Sequence, residues 1–160
     1  MPLEPFTEGD SYLAALARVA EPAFDVFRPD VLVVQAGADT HHLDPLADLM
    51  LTTRDFERAV RLLLGLAARH TGGRALFTLG GGYTPEATPR LWAILALVLH
   101  GAPLPEALPS GWLERWPGRT VTTLHDPPDP YPAIARRAEI DGRNRAMVDR
   151  LLDAVARYWL

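Results

Sequence analysis

Two short stretches concentrate the residues that could do chemistry. Between Gly37 and Pro45 the chain carries Asp39, Thr40, His41, His42 and Asp44, and further on three consecutive glycines, Gly80 to Gly82, run into Tyr83. Carboxylate and imidazole are ordinary zinc ligands, but a site needs about three protein ligands in tetrahedral reach. Positions 41, 42 and 44 are too close in sequence to converge easily on one ion. The spacing alone therefore favours a plainer reading, with exposed loop histidines and an Asp39 or Asp44 that caps the loop backbone. The glycines allow close backbone approach to a ligand, and a tyrosine hydroxyl at their rim could donate to a developing oxyanion. A strained turn with Tyr83 packed on the next helix explains the same residues equally well. No Gly-Lys-Ser/Thr follows, so this is neither a P-loop nor a dinucleotide fingerprint. His70, His100 and His125 lie at helix ends or in a proline-rich stretch, where a favourable helix dipole is reason enough for them.

The elements that must position these loops follow from periodicity. Val31 to Val34 is a continuous apolar run, as expected of a parallel strand buried on both faces. It opens into the first loop, where open α/β sheets gather functional groups. Thr52 with Asp55 resembles a capping box and starts a helix whose apolar stripe is Phe56, Val60, Leu63, Leu64 and Ala67, until Gly72-Gly73 stops it. Ala75 to Leu79 reads as a second buried strand, and a further helix carries Leu91, Trp92, Leu95 and Val98. Strand, helix, strand, helix implies a βαβ unit. Upstream, Gly9-Asp10-Ser11 offers caps for a helix through Leu13, Leu16, Ala17 and Ala20, interrupted by Pro22. Four regions result: lead-in helices (1–28), a βαβα unit with the site loops (29–102), a proline-rich wrap (103–132) and a C-terminal helix (133–160). The wrap is ordered only if Trp112 and Trp116 dock, and the last helix presents Met147, Leu151, Leu152, Val155 and Tyr158 on one face.

Composition narrows the function classes. With 160 residues, 48% hydrophobic and 22% charged, the chain can bury a real core within one domain. A net charge of −4 without a basic run argues against nucleic acid. The absence of cysteine removes disulfides, thiolate zinc sites and cysteine nucleophiles, and all sixteen basic residues are arginine, which removes lysine chemistry. No apolar run reaches the roughly 20 residues that span a bilayer, and no basic-then-apolar leader is present, so neither membrane contact nor export is expected and a cytoplasmic location is the default.

At the two loops the sequence resembles the zinc-dependent histone deacetylase superfamily, in particular the bacterial acetoin-utilisation deacetylases. The matching stretches are VLVVQAGADTHHLDPLADLMLTT and ALFTLGGGYTPEATPRLWAIL, and the ending DPPDPYPAIARRAEIDGRNRAMVDRLL is similar to the tail of that branch. The resemblance implies a three-layer α/β/α arginase/deacetylase fold around a parallel sheet. It also implies that Asp44, the aspartate of the Asp-Pro pair, is a zinc ligand, although ferrous iron suits the same ligand type. Tyr83 would polarise the acetyl carbonyl and stabilise the oxyanion. Leu51, just before the Thr-Thr helix start, would line the acyl-lysine tunnel, and Gly81 and Gly82 would form tunnel wall at its mouth. Leu43 stands where many relatives have glycine.

The same resemblance implies what to look for and not find. The family's paired histidines and its Asp-x-His ligands lie upstream of the matching part, and no Asp-x-His followed by a second His and Gly occurs here. The chain thus reads as the C-terminal half of a single deacetylase-like domain, beginning in its middle and inactive alone. The alternative is a non-catalytic remnant or interaction module that keeps the fold elements. The expected substrate is acetyl-lysine or an acetylated small amine. The expected protein partner is an N-terminal half on a separate chain, or a second copy, at an open sheet edge.

Overall fold

A computed structural model describes residues 1–118 and 120–159. In chain order the elements are α1 (Gly9–Phe27), β1 (Leu32–Ala36), α2 (Thr53–His70), β2 (Ala75–Leu79), α3 (Thr88–Leu99), α4 (Ser110–Arg115) and α5 (Arg137–Trp159). β1 and β2 pair in parallel, with Val33 opposite Leu76 and Gln35 opposite Thr78, so the βαβ unit forms as the pattern requires.

One face of this sheet makes the core. Val34 and Phe77 pack on Phe56 and Val60 from α2 and on Leu91, Ile94, Leu95 and Val98 from α3, and Leu124 of the wrap closes the cluster. The other face is bare among the described residues: Val33 is 64% exposed and Leu76 56%. The expectation of strands buried on both faces is therefore corrected. The continuous apolar run is real, but α2 and α3 cover only the side that carries Val34 and Phe77. β1 pairs with β2 along one edge, and beside its other edge lies a cavity of about 470 Å³ between β1, α1 and α2, lined by Tyr12, Leu16, Val60, Leu63 and Leu51.

Local capping is as the sequence proposed for α2. The Thr52 hydroxyl accepts the Asp55 N–H at 3.2 Å, and the Asp55 carboxylate accepts the Thr52 N–H at 3.0 Å. Beyond the helix, Gly72 takes φ +61°, the left-handed turn that ends it. α1 departs from expectation twice. Its N-cap is Glu8, which makes no side-chain cap bond, and it runs through Pro22 to Phe27 without interruption. Proline removes one helical N–H without forbidding helical φ, and the last turn is held by Phe24, which is buried and meets the His70 ring at a tilt, centroids 5.3 Å apart.

The wrap is also fastened differently from the expectation. Trp112 is half-buried, but Trp116 is 49% exposed. The wrap is instead pinned by Leu124 and Asp126, both buried, and by a backbone exchange in which Leu108 N–H meets Thr122 C=O and Leu124 N–H meets Glu106 C=O. α5 packs on α1 with Asn144 and Val148 buried; of the expected face, Met147, Leu151, Leu152 and Val155 are half-buried and Tyr158 is exposed. Asn144 explains the choice of face: its amide donates to Thr7 and Ser11 hydroxyls and accepts the Glu4 N–H.

Candidate functional site

The loop after β1 folds back on itself before α2 begins. His42 N–H reaches Leu51 C=O at 2.9 Å and Leu51 N–H reaches Thr40 C=O at 3.2 Å, so residues 40–42 lie alongside Met50 and Leu51. Leu51 is thereby carried inward, 1% exposed, against the cavity beside β1. The glycine loop after β2 lies against the same loop. Ala38 N–H donates to Gly81 C=O, and a Cβ on Gly81 would strike the Asp39 carboxylate. At Gly82, φ is +150°, and a Cβ would stand 2.8 Å from the Thr88 methyl and 2.9 Å from Ala38. Only glycine fits there, and its packing brings the two loops into contact.

Asp44 sits where they meet. It is buried, its Oδ1 accepts the Leu46 N–H at 3.0 Å and its Oδ2 accepts the Tyr83 N–H at 2.8 Å. Asp44 therefore caps loop backbone, and does so across both loops at once. The Tyr83 side chain projects outward, 57% exposed, so it does not pack on the following helix. Of the sequence-derived residues, the structure brings Asp44, Tyr83, Gly81 and Gly82 together, with Leu51 one strand-width away across His41.

The histidines divide. Against the expectation of two exposed loop histidines, His41 is 1% exposed. Its Nε2 lies 2.9 Å from Asp126 Oδ2, and its Nδ1 accepts the Leu43 N–H at 3.2 Å. His42 is half-buried, with its ring 5.0 Å from that of Tyr131. Burial, with His41 and Arg90 nearby, lowers the His42 pKa to about 4, so it is neutral at pH 7. Asp126 also takes Arg90 Nη2–H at 2.9 Å and the Thr53 N–H at 2.8 Å. Burial alone would raise the Asp126 carboxyl. The hydrogen bonds from His41 and Thr53, with Arg90 alongside, win and hold it well below the usual carboxylate range. Arg90 and Asp126 had escaped the reading of the sequence. The available signal was a lone arginine inside the apolar helix TPRLWAILALVL.

Whether this set can hold a metal is decided by its donors. Asp44 has lone pairs to spare after accepting two amides, but it is in no group of three potential ligands among the described residues. The group that does converge is His41, His42 and Asp126, whose ligand atoms lie within 4.8 Å of one another. Leu43 N–H on Nδ1 leaves Nε2 as the nitrogen that donates to Asp126, which also pairs with Arg90. Among the described residues that group is the one close enough together to hold an ion, and Asp44 is not a member of it.

A model of the histone deacetylase domain matches residues 1–99. The chain belongs to the histone deacetylase family. It is 36% identical over 160 residues to the acetoin utilization protein AcuC of Bacillus subtilis (strain 168), covering 97% of this chain and 41% of that protein. The corresponding protein of Staphylococcus xylosus is 34% identical over 158 residues, covering 95% and 41%. Among solved structures, a histone deacetylase homolog from Aquifex aeolicus superimposes with a TM-score of 0.70 at 24% identity, over 90% of this chain and 41% of that one. The HDA15 HD domain gives 0.64 at 20%, over 98% and 33%. The fold is accordingly the arginase/deacetylase α/β fold, and the chain spans about two fifths of the length of these AcuC relatives.

Proposed function

We propose that this chain supplies part of a deacetylase site, namely one metal ligand and the oxyanion donor for hydrolysis of acetyl-lysine or a similar acetylated amine. The observation that carries the reading is the bond from Tyr83 N–H to Asp44 Oδ2 at 2.8 Å. It fixes the start of the tyrosine's loop to the carboxylate that would face the metal. A bound zinc or ferrous ion would polarise the acetyl oxygen and activate water. The residues of this chain do the remaining work assigned to them. Asp44 would hold its oxygens toward the ion, Tyr83 would donate its hydroxyl to the developing oxyanion, and Leu51, Gly81 and Gly82 would wall the acyl channel.

With Asp44 as its one assigned ligand and no general base identified among the described residues, the isolated chain is expected to turn over little or nothing. The missing histidines would come from a polypeptide equivalent to the part of AcuC that this chain does not cover. The bare sheet face and the open β1 edge support such a partner, and self-association is the competing use of the same surface. That bareness also suits the second reading, an interaction module without turnover.

The test is acetate release from an acetyl-lysine peptide with added zinc, by the chain alone and co-expressed with the uncovered part of the Bacillus subtilis relative. Turnover only in the co-expressed sample, lost in Tyr83→Phe, is the expected result. Binding without turnover in that sample would favour the interaction module, and neither binding nor turnover would sink both readings.

A further inference from the structure

Three charged or ionisable side chains from separate parts of the sequence form a dry relay behind the site loop. Arg90 is 1% exposed and spends its whole guanidinium inside the protein: Nε to Glu86 C=O at 2.7 Å, Nη1 to Leu124 C=O at 3.2 Å and Nη2 to Asp126 Oδ1 at 2.9 Å. Asp126 Oδ2 takes the Thr53 N–H at the start of α2, where the helix dipole favours a carboxylate, and Asp126 N–H returns a bond to the Thr53 hydroxyl at 2.8 Å. The same Oδ2 meets His41 Nε2. His41 then grips the loop at two points: Nδ1 takes Leu43 N–H, and its carbonyl takes Asp44 N–H at 2.8 Å.

We propose that Arg90, Asp126 and His41 are positioning residues, which set the path of residues 41–44 and so aim the Asp44 carboxylate at Tyr83. The proposal rests on the reading of Asp44 and Tyr83 as a site pair. The physical argument is one of cost. A buried Arg–Asp pair is poor value for stability alone, because well-packed apolar side chains of similar volume do as well or better. What apolar side chains cannot do is dictate which nitrogen of His41 carries its proton. With Asp126 accepting, Nε2 is the donor and Nδ1 is free to accept Leu43 N–H. Each bond in the relay thus fixes the polarity of the next, from α3 to the amide of Asp44.

The experiment is site-resolved amide hydrogen exchange by NMR on the full chain, comparing wild type with His41→Asn and His41→Gln. Asparagine keeps an acceptor near the Nδ1 position and loses the reach to Asp126. Glutamine carries an N–H near the Nε2 position and restores it. In His41→Asn the amides of Leu46 and Tyr83, both held by Asp44, are expected to exchange about tenfold faster, the scale of one lost hydrogen bond. Val60 and Phe77 amides are expected to stay within about twofold, and His41→Gln to return part of the protection. A uniform rise at all amides, or no change at Leu46 and Tyr83, would overturn the proposal. Should neither variant fold, the wild-type ring decides it: long-range proton–nitrogen correlations must show an Nε2–H tautomer for His41, and an Nδ1–H tautomer would refute the relay. None of these readouts involves substrate, so a chain that never deacetylates still tests the relay. Retained relay protection with no turnover in the completed enzyme would count against the deacetylase reading alone.

Discussion

Tyr83 donates its backbone N–H to Asp44 Oδ2 across 39 residues of sequence, at 2.8 Å, while the Tyr83 ring stays outside. One residue thus has two separable halves: a main chain that builds the site and a side chain free to do chemistry. Tyr83→Phe is expected to change stability by no more than about 0.5 kcal/mol, as for a surface substitution away from buried contacts. A urea melt checks this. In the completed enzyme the same variant is expected to lose acetate release. A large destabilisation would mean that the hydroxyl is a structural bond, and that its loss says nothing about an oxyanion.

Asp44 makes the opposite prediction. Both of its oxygens accept part-buried amide bonds, so Asp44→Asn, which keeps one acceptor and turns the other into a donor facing an N–H, leaves Leu46 or Tyr83 unpaired. About 1–3 kcal/mol of stability should be lost, the cost of an unsatisfied buried group. This should hold in the presence of chelator, with no metal involved. Unchanged stability by equilibrium denaturation would show that the carboxylate is not holding the two loops in solution.

The Arg90–Asp126 pair should behave as a unit. Arg90→Met leaves a buried carboxylate without its cation and is expected to cost about 3–5 kcal/mol. Asp126→Asn should cost a comparable amount, and the double variant less than the sum, because the second change removes a group already stranded. Additivity in a double-mutant cycle would mean that the two side chains do not share an interaction.

Acid stability follows from the lowered Asp126 pKa. The unfolded carboxyl titrates near about 3.9, and the folded one lies below it because His41, Thr53 and Arg90 hold the charge. The unfolded state therefore binds more protons on the acid side. The stabilisation is fully present above about pH 4 and is lost as pH falls through the folded value. Melting curves between about pH 5 and pH 2, which cover the upper part of this loss, should fall more steeply in wild type than in Asp126→Asn. Parallel curves would remove Asp126 from the account.

How much of this was legible in the sequence depended on range. The Thr52–Asp55 cap, the strand runs and both site loops are written in residues within a few positions of one another, and the structure forms them where the pattern puts them. The resemblance to the deacetylases singled out Asp44 and Tyr83, though spacing could not show that they would touch. Asp126 was invisible because its partners His41, Thr53 and Arg90 lie 85, 73 and 36 residues away. His41 looked like an exposed loop residue for the same reason. Trp116 misled in the other direction, since a large aromatic in a proline-rich stretch suggests an anchor, and the anchoring is done by Leu124 and a buried ion pair. Pro22 misled because local propensity was read without the Phe24–His70 contact that holds the turn.

The bare sheet face yields the last prediction. Val33 and Leu76 are register partners and are 64% and 56% exposed. Apolar side chains standing side by side on a sheet surface gain by finding cover, and an unpaired parallel edge beside them offers backbone bonds to whatever arrives. Replacing the pair by Val33→Glu and Leu76→Arg keeps a favourable cross-strand contact, worth about 0.2–1 kcal/mol, while making the face costly to cover with apolar surface. The variant is expected to melt close to wild type and to sediment as a smaller species at equal concentration. Under the proposed function it should also fail to join a polypeptide equivalent to the part of AcuC that this chain does not cover. If it associates as before, the contact surface lies elsewhere and the open face is simply tolerated. If it unfolds, Val33 and Leu76 are already covered in solution, and wild type must be an assembly from the start.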